Sequence, residues 1–226
     1  MWRTELAAVR FANEVVFSSD YERRLMERRC GHVAGRTHRH IIGYEVKPVV
    51  PRLEPQGLVF GFVGGDRLAQ NRRSIEALIR LWVRHAVPHK LVIIGRCHQL
   101  YEPCANVEFA GFVADLADYY RGFDALLVFS YVPGGLKTKV PEALAYGVPV
   151  ILNNVAAEGI VGLRGYKLQF DEEDLVRYLS RPTNEIRDEL LSFRSTAIQL
   201  ARTHWSAERF EEFLRDLVEL DQPLTT

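Results

Sequence analysis

From residue 58 onward the chain alternates short apolar runs with amphipathic stretches, and few folds accommodate that alternation. The runs are 58–63 (LVFGFV), 90–94 (KLVII), 107–110 (VEFA), 124–129 (DALLVF), 148–152 (VPVIL) and 166–170 (YKLQF). Helical patterns at 71–86 and 115–121 lie between them. Strands separated by helices imply a parallel α/β sheet of about six strands, Rossmann-like and covered on both faces. Ligands of such sheets bind beyond the carboxyl ends of the strands. Glycines stand at four of those ends, in Gly64-Gly65, Gly95-Arg96, Gly111-Phe112-Val113 and Gly134-Gly135. Four loops converging on one edge make that edge the candidate site.

The fourth loop carries the most chemistry. Residues 133–151 read PGGLKTKVPEALAYGVPVI. Gly134 and Gly135 allow backbone to approach a ligand closely. Leu136 and Lys137 follow, and Thr138 is the expected N-cap of the next helix. Pro141 falls in the first turn, where its missing N–H is harmless. Gly147 ends the helix before the next strand. Strand, glycine loop and helix start are a phosphate-binding order. Lys139 and Glu142 share a helix face at i, i+3. Lys139 suits a diphosphate, and Glu142 suits the vicinal hydroxyls of a ribose. An ordinary intrahelical ion pair is the competing reading, because glycine loops before helices are common.

Composition closes several other routes. The formal net charge is zero, so no global field draws the chain to nucleic acid, and membrane association is expected to be peripheral at most. Three cysteines, Cys30, Cys97 and Cys104, lack metal spacing and suit reduced thiols in a cytoplasmic protein. No Cys-x-x-Cys or His-Glu-x-x-His pattern supports a metal, so neither metal nor cofactor is expected. No run approaches the roughly 18–20 apolar residues that span a bilayer, and MWRTELAAVR lacks a secretory apolar core. GFVGGDRLAQN departs from the full dinucleotide fingerprint. No Ser/His/Asp, Cys/His or paired-carboxylate set for hydrolysis emerges.

Two regions flank the alternating segment. Residues 1–52 read as helix (3–13), strand (14–19), charged helix (20–29) and weak strand (40–46), then a linker spaced by Pro48, Pro51 and Pro55. That is too little for a well-covered sheet of its own, so apolar residues such as Val15, Val16 and Phe17 are expected at an interface. Residues 53–226 form the second unit, ending in a helical tail at 184–220 with a break near Thr203-His204-Trp205.

The loop pattern resembles the nucleotide-sugar site of retaining glycosyltransferases built from two Rossmann-like domains (the GT-B class). The matching residues are Gly134, Gly135, Lys139, Glu142, Ala143, Gly147, Pro149, Val150, Glu158 and Gly159. Many members carry a glutamate eight positions before the second one, where this chain has Gly134; a Gly-rich, Lys-containing variant of the loop is more similar. The resemblance implies the carboxyl-terminal, donor-binding half of such an enzyme, transferring a sugar from a nucleotide-diphosphate sugar to a hydroxyl. It implies donor contacts from Gly64, Gly65, Arg67, Gly111, Phe112, Val113, Gly134, Gly135, Leu136, Lys137, Thr138, Lys139 and Glu142, with Asn71 beside them. Catalytic residues stay unassigned. Residues 1–46 resemble the last part of an acceptor domain, and the tail resembles the terminal helix that packs back on it. A chain with so little acceptor domain is expected to act as an enzyme, or as a nucleotide-binding half that needs a homodimer mate or a separate amino-terminal partner.

Overall fold

The computed structural model describes residues 2–12, 15–17, 20–31, 42–52, 57–97, 101, 104–133, 135–163 and 166–219. Two helices, α1 (Trp2–Phe11) and α2 (Asp20–Cys30), come first. The alternating segment then gives β1 (Val59–Val63), α3 (Ala69–Arg84), β2 (Lys90–Ile94), β3 (Val107–Gly111), α4 (Ala117–Gly122), β4 (Ala125–Val128), α5 (Lys139–Ala145) and β5 (Val150–Leu152). Four helices close the chain: α6 (Asn154–Ala157), α7 (Glu172–Leu179), α8 (Thr183–His204) and α9 (Ala207–Glu219).

All strand pairs are parallel, in the order β3-β2-β1-β4-β5. Phe60, Leu91, Ile93, Leu126, Leu127 and Ile151 are fully buried, as required of strands covered on both faces. β3 is an edge strand and leaves Glu108 and Phe109 exposed. Ile75, Leu78, Leu81 and Trp82 form the buried stripe of α3. The Trp82 ring meets Phe60 edge-on at 6.1 Å and donates its Nε1–H to the His89 carbonyl at 2.7 Å. Gly61 has no side chain because the Phe123 ring fills its place, 2.2 Å from where a Cβ would stand.

Polar ties fix both sheet edges. At the amino edge Asp124 accepts the Val59 N–H at 2.8 Å and lies 3.9 Å from Arg187 of α8, while Arg194 donates to the Phe123 carbonyl. At the carboxyl edge Asn153 clamps β4 to β5. Its Oδ1 accepts from Ser130 N–H at 3.1 Å and its Nδ2 donates to the Ser130 carbonyl at 2.8 Å. The same Oδ1 caps α6 through Ala156 N–H at 2.9 Å.

Among the described residues, three expected strands do not form, since extended backbone needs a paired neighbour. Residues 15–17 of the 14–19 run lie in no strand, and its other residues fall outside those described. Run 166–170 makes a single parallel bridge, Gln169 to Leu152, so the sheet has five strands among the described residues. Run 40–46 keeps one bridge, Tyr44 to Ser206.

Residues 44–52 are packed rather than loose. Tyr44 N–H donates to the Trp205 carbonyl at 2.8 Å, and Ala207 N–H to the Tyr44 carbonyl at 3.0 Å. Further on, Lys47 and Val49 donate to the carbonyls of Ala145 and Tyr146, both at 3.0 Å. The break in the helical tail falls where sequence placed it, at Trp205 and Ser206 between α8 and α9.

Candidate functional site

β1 and β4 are neighbours, yet the chain leaves β1 towards β2 and leaves β4 towards β5. Connections diverging from adjacent parallel strands open a crevice at their carboxyl ends. Here the crevice has a volume of about 260 Å³. Val63 and Gly64 line it from β1, Asn71 and Ser74 from α3, Val128 to Ser130 from β4, and Leu136 to Lys139 with Glu142 from the start of α5.

Lys139 reaches across this crevice. Its Nζ donates to Asn71 Oδ1 at 3.3 Å and lies 4.3 Å from the centre of the Phe62 ring. Asn71 Nδ2 in turn donates to the Gly65 carbonyl at 3.1 Å, which assigns the amide orientation. Among the described residues Lys139 forms no ion pair with Glu142, so the intrahelical pair is replaced by a contact between the first turns of α5 and α3. Burial of the ammonium, helped by nearby Lys137, brings its pKa down to about 8 against the pull of Glu142. Gly64 makes room for this arrangement: at φ +147°, a Cβ there would stand 2.8 Å from Asn71 Nδ2 and 3.0 Å from Lys139 Nζ.

Lys137 is buried as well, at 8% exposure, with Nζ 3.4 Å from the Gly135 carbonyl. Burial lowers its pKa, while Glu158 and Glu22 raise it. Glu142 is half-buried. Desolvation raises its pKa, and the Tyr120 hydroxyl and Lys139 oppose that rise. The Tyr120 hydroxyl is close enough to act on Glu142 but lacks the geometry of a formed hydrogen bond. One buried lysine, a second whose ammonium is desolvated, and one acid therefore face a single crevice, a charge balance suited to an anion that also carries hydroxyls.

Of the sequence-derived residues, the crevice gathers Gly64, Leu136, Lys137, Thr138, Lys139 and Glu142. Gly65 packs beneath it, where a Cβ would meet the Arg96 carbonyl at 2.7 Å. Gly135 takes φ +70°, and Gly134 lies outside the described residues. Arg67 is exposed to solvent, away from the crevice lining. Gly111 ends β3 and Phe112 and Val113 follow it; β2 and β1 stand between that strand and β4, and none of the three lines this crevice. Phe112 is 66% exposed, with the Arg96 guanidinium 4.8 Å above its ring. Thr138 stands at the expected N-cap position, but its backbone angles are already helical and its side chain makes no capping hydrogen bond. The residue before a Pro-containing first turn is here already drawn into the helix.

Sequence reasoning did not single out Ser130, Asn153, Tyr44 or Tyr120. An asparagine directly after an apolar strand and before a short helix was a readable cap signal for Asn153. Nothing local marked the tyrosines. A larger groove, about 760 Å³, lies between α3 and α7. Two of its rim charges are engaged, Arg177 with Asp174 and Glu172 with Tyr131, and it lies away from the switch point. The chemistry favours the smaller crevice. Among the described residues no three His, Cys, Asp or Glu side chains are grouped to hold a metal, and no helix is long and apolar enough to cross a membrane.

Residues 57–182, more than half of the chain, match the family model for glycosyl transferases group 1. No curated protein sequence matches. Among solved structures, Anabaena HepE in complex with UDP superposes with a TM-score of 0.74 at 16% identity, over 97% of this chain and 68% of that one. TarM gives 0.74 at 13% identity, over 96% of this chain and 45% of that one, and a mutant of S. aureus TarM in complex with fondaparinux, alpha-GlcNAc-glycerol and UDP gives 0.70 at 13%, over 96% and 46%. WaaG, a glycosyltransferase involved in lipopolysaccharide biosynthesis, gives 0.61 at 18% identity, over 84% and 58%. These likenesses show a shared fold. The chain spans about half to two thirds of the length of the proteins it resembles.

Proposed function

The chain belongs to the glycosyl transferases group 1 family, and on that premise we propose that its switch-point crevice holds the diphosphate of a nucleotide-sugar donor. The observation that carries this reading is the Lys139 ammonium, desolvated inside the crevice and reaching from the start of α5 to the start of α3. Breaking the bond between sugar and diphosphate leaves a new negative charge on the departing phosphate. Cations already in place for that charge lower the barrier, because nothing has to reorganise as it develops. Lys139 and Lys137 supply them. Glu142, on the same turn of α5, accepts hydrogen bonds from the ribose hydroxyls. The sugar passes to a hydroxyl of an acceptor, with retention of configuration, and the donor is a UDP-, GDP- or ADP-hexose. UDP is the first candidate, since HepE and a TarM mutant have been solved in complex with it.

A second reading starts from coverage. The chain covers 45% of TarM and 68% of HepE. On this reading it binds nucleotide and transfers sugar only when a partner, or a second copy, supplies the acceptor side. Phe11, 87% exposed on α1, and Val16, 42% exposed, support pairing through this amino-terminal segment.

Calorimetry and thermal shift with UDP, GDP, ADP and their sugars test the first reading, since a ligand of the native state raises the melting temperature. Absence of binding at millimolar concentration overturns it. Turnover measured with and without a supplied amino-terminal half separates the two readings.

A further inference from the structure

The crevice owes part of its shape to a segment that does not line it. The strap of residues 42–52 runs along α5 and touches both of its ends. At the back, Lys47 and Val49 donate to the carbonyls of Ala145 and Tyr146, each at 3.0 Å. At the front, the Tyr44 hydroxyl donates to the Thr138 carbonyl at 3.2 Å. That carbonyl already accepts the first intrahelical bond, from Glu142 N–H at 3.2 Å, so both of its lone pairs are engaged. A helix of seven residues is too short to hold its own geometry, and an outside splint matters correspondingly more.

Tyr44 is itself fixed. Its backbone bridges the turn between α8 and α9 through Trp205 and Ala207. The preceding Gly43 lies so close that a Cβ would stand 2.6 Å from Phe210 Cβ. The ring is half-buried, and its hydroxyl is held protonated to about 12 by desolvation and the neighbouring Glu142 carboxylate. It is therefore a permanent donor at neutral pH.

We infer that Tyr44 is a positioning residue for the donor site: through the Thr138 carbonyl it holds the first turn of α5 so that Lys139 and Glu142 face the crevice together. The inference rests on the proposed nucleotide-sugar reading for what the site binds, but not for the mechanical link. Lys139 and Glu142 lie one and four residues beyond the pinned carbonyl. A turn free to rotate there loses the alignment of both side chains at once.

Tyr44→Phe removes the hydroxyl and keeps the ring. Hydrogen exchange of the unliganded chain, followed over residues 136–145, should quicken at least several-fold in Y44F, with exchange in β1 and β4 unchanged. UDP binding, measured by calorimetry on wild type and variant, should weaken about five- to twenty-fold, with the melting temperature of the free protein shifted by less than about 3 °C, the range of a single exposed hydrogen bond. Uridine should weaken with UDP, because Glu142 and Lys139 move together; a loss confined to UDP would place the effect on the lysine alone and overturn the coupling. Unchanged exchange over 136–145 overturns the mechanical link whatever binds. Wild-type chain that binds UDP, with Y44F binding it equally, overturns the positioning role and leaves the proposed function standing. Wild-type chain that binds no nucleoside diphosphate removes the proposed function and the positioning role together, and exchange then reports on the splint alone.

Discussion

Lys139 Nζ lies 3.3 Å from Asn71 Oδ1, joining the helix after β4 to the helix after β1 across the switch point of the sheet. The two residues are 68 positions apart in the chain. Their contact converts two separate glycine loops into one crevice, and it leaves an ammonium with few competing acceptors where a ligand anion would enter.

Lys139→Ala and Glu142→Ala should separate phosphate from ribose recognition. A hydrogen bond to a charged group contributes about 1.5–3 kcal/mol, so K139A should weaken UDP binding by roughly ten- to a hundred-fold. Uridine binding should change little in K139A and fall in E142A. Titration of both ligands against both variants checks this, and equal losses throughout would show that the two side chains do not have separate targets.

The lowered pKa of Lys139 has a defined sign. The folded chain holds it at about 8, whereas an unfolded lysine titrates near ~10.4. Between these values the unfolded state binds the extra proton, so this group makes stability rise as pH goes from about 7 to 10. Lys139→Met removes the buried charge. K139M should melt above wild type at pH 7, by about 2–4 °C for each kcal/mol regained, and the gap should close near pH 10. Melting curves across that range check it. UDP affinity of the wild-type chain should also fall as pH passes 8, because the free ammonium is then lost.

Gly61 is fixed by packing rather than by backbone angle. An alanine there would place Cβ 2.2 Å from the Phe123 ring, which is itself buried beneath the sheet. Overpacking of this kind costs about 1–3 kcal/mol. Denaturant unfolding of Gly61→Ala should show a loss of that size with an unchanged m-value. UDP binding well below the midpoint should survive.

Asn153 makes three hydrogen bonds that tie β4, β5 and α6 together. Asn153→Ala leaves the Ser130 amide and carbonyl without their partner and removes the α6 cap. A destabilisation of about 2–4 kcal/mol follows from the lost cap and the unsatisfied groups combined. Because Ser130 lines the crevice, nucleotide affinity should decline as well, though less than in K139A. Chemical denaturation and calorimetry on the same preparation measure both.

The order of strands and helices from residue 58 was legible because strands buried on both faces must be apolar throughout. The runs around Phe60, Leu91 and Leu126 could satisfy no wetter arrangement. The glycine loops at the carboxyl ends of β1 and β4 were legible for a similar reason: Gly64 must leave room for what stands opposite. Neither fact says what that neighbour is. Strand pairing is decided by the whole sheet, so the runs at 14–19, 40–46 and 166–170 carried strand-like composition without forming strands among the described residues. Which lysine contact forms was likewise beyond local pattern. Helical spacing pairs Lys139 with Glu142, but the order β3-β2-β1-β4-β5 puts Asn71 across from it, and the ammonium turns that way. Tyr44 had no signal at all, since its hydroxyl gains meaning only when the strap comes to lie along α5. Periodicity and burial are properties of a segment and can be read from it. A partner 68 or 94 residues away depends on how every intervening element packs, and only the tertiary structure decides that.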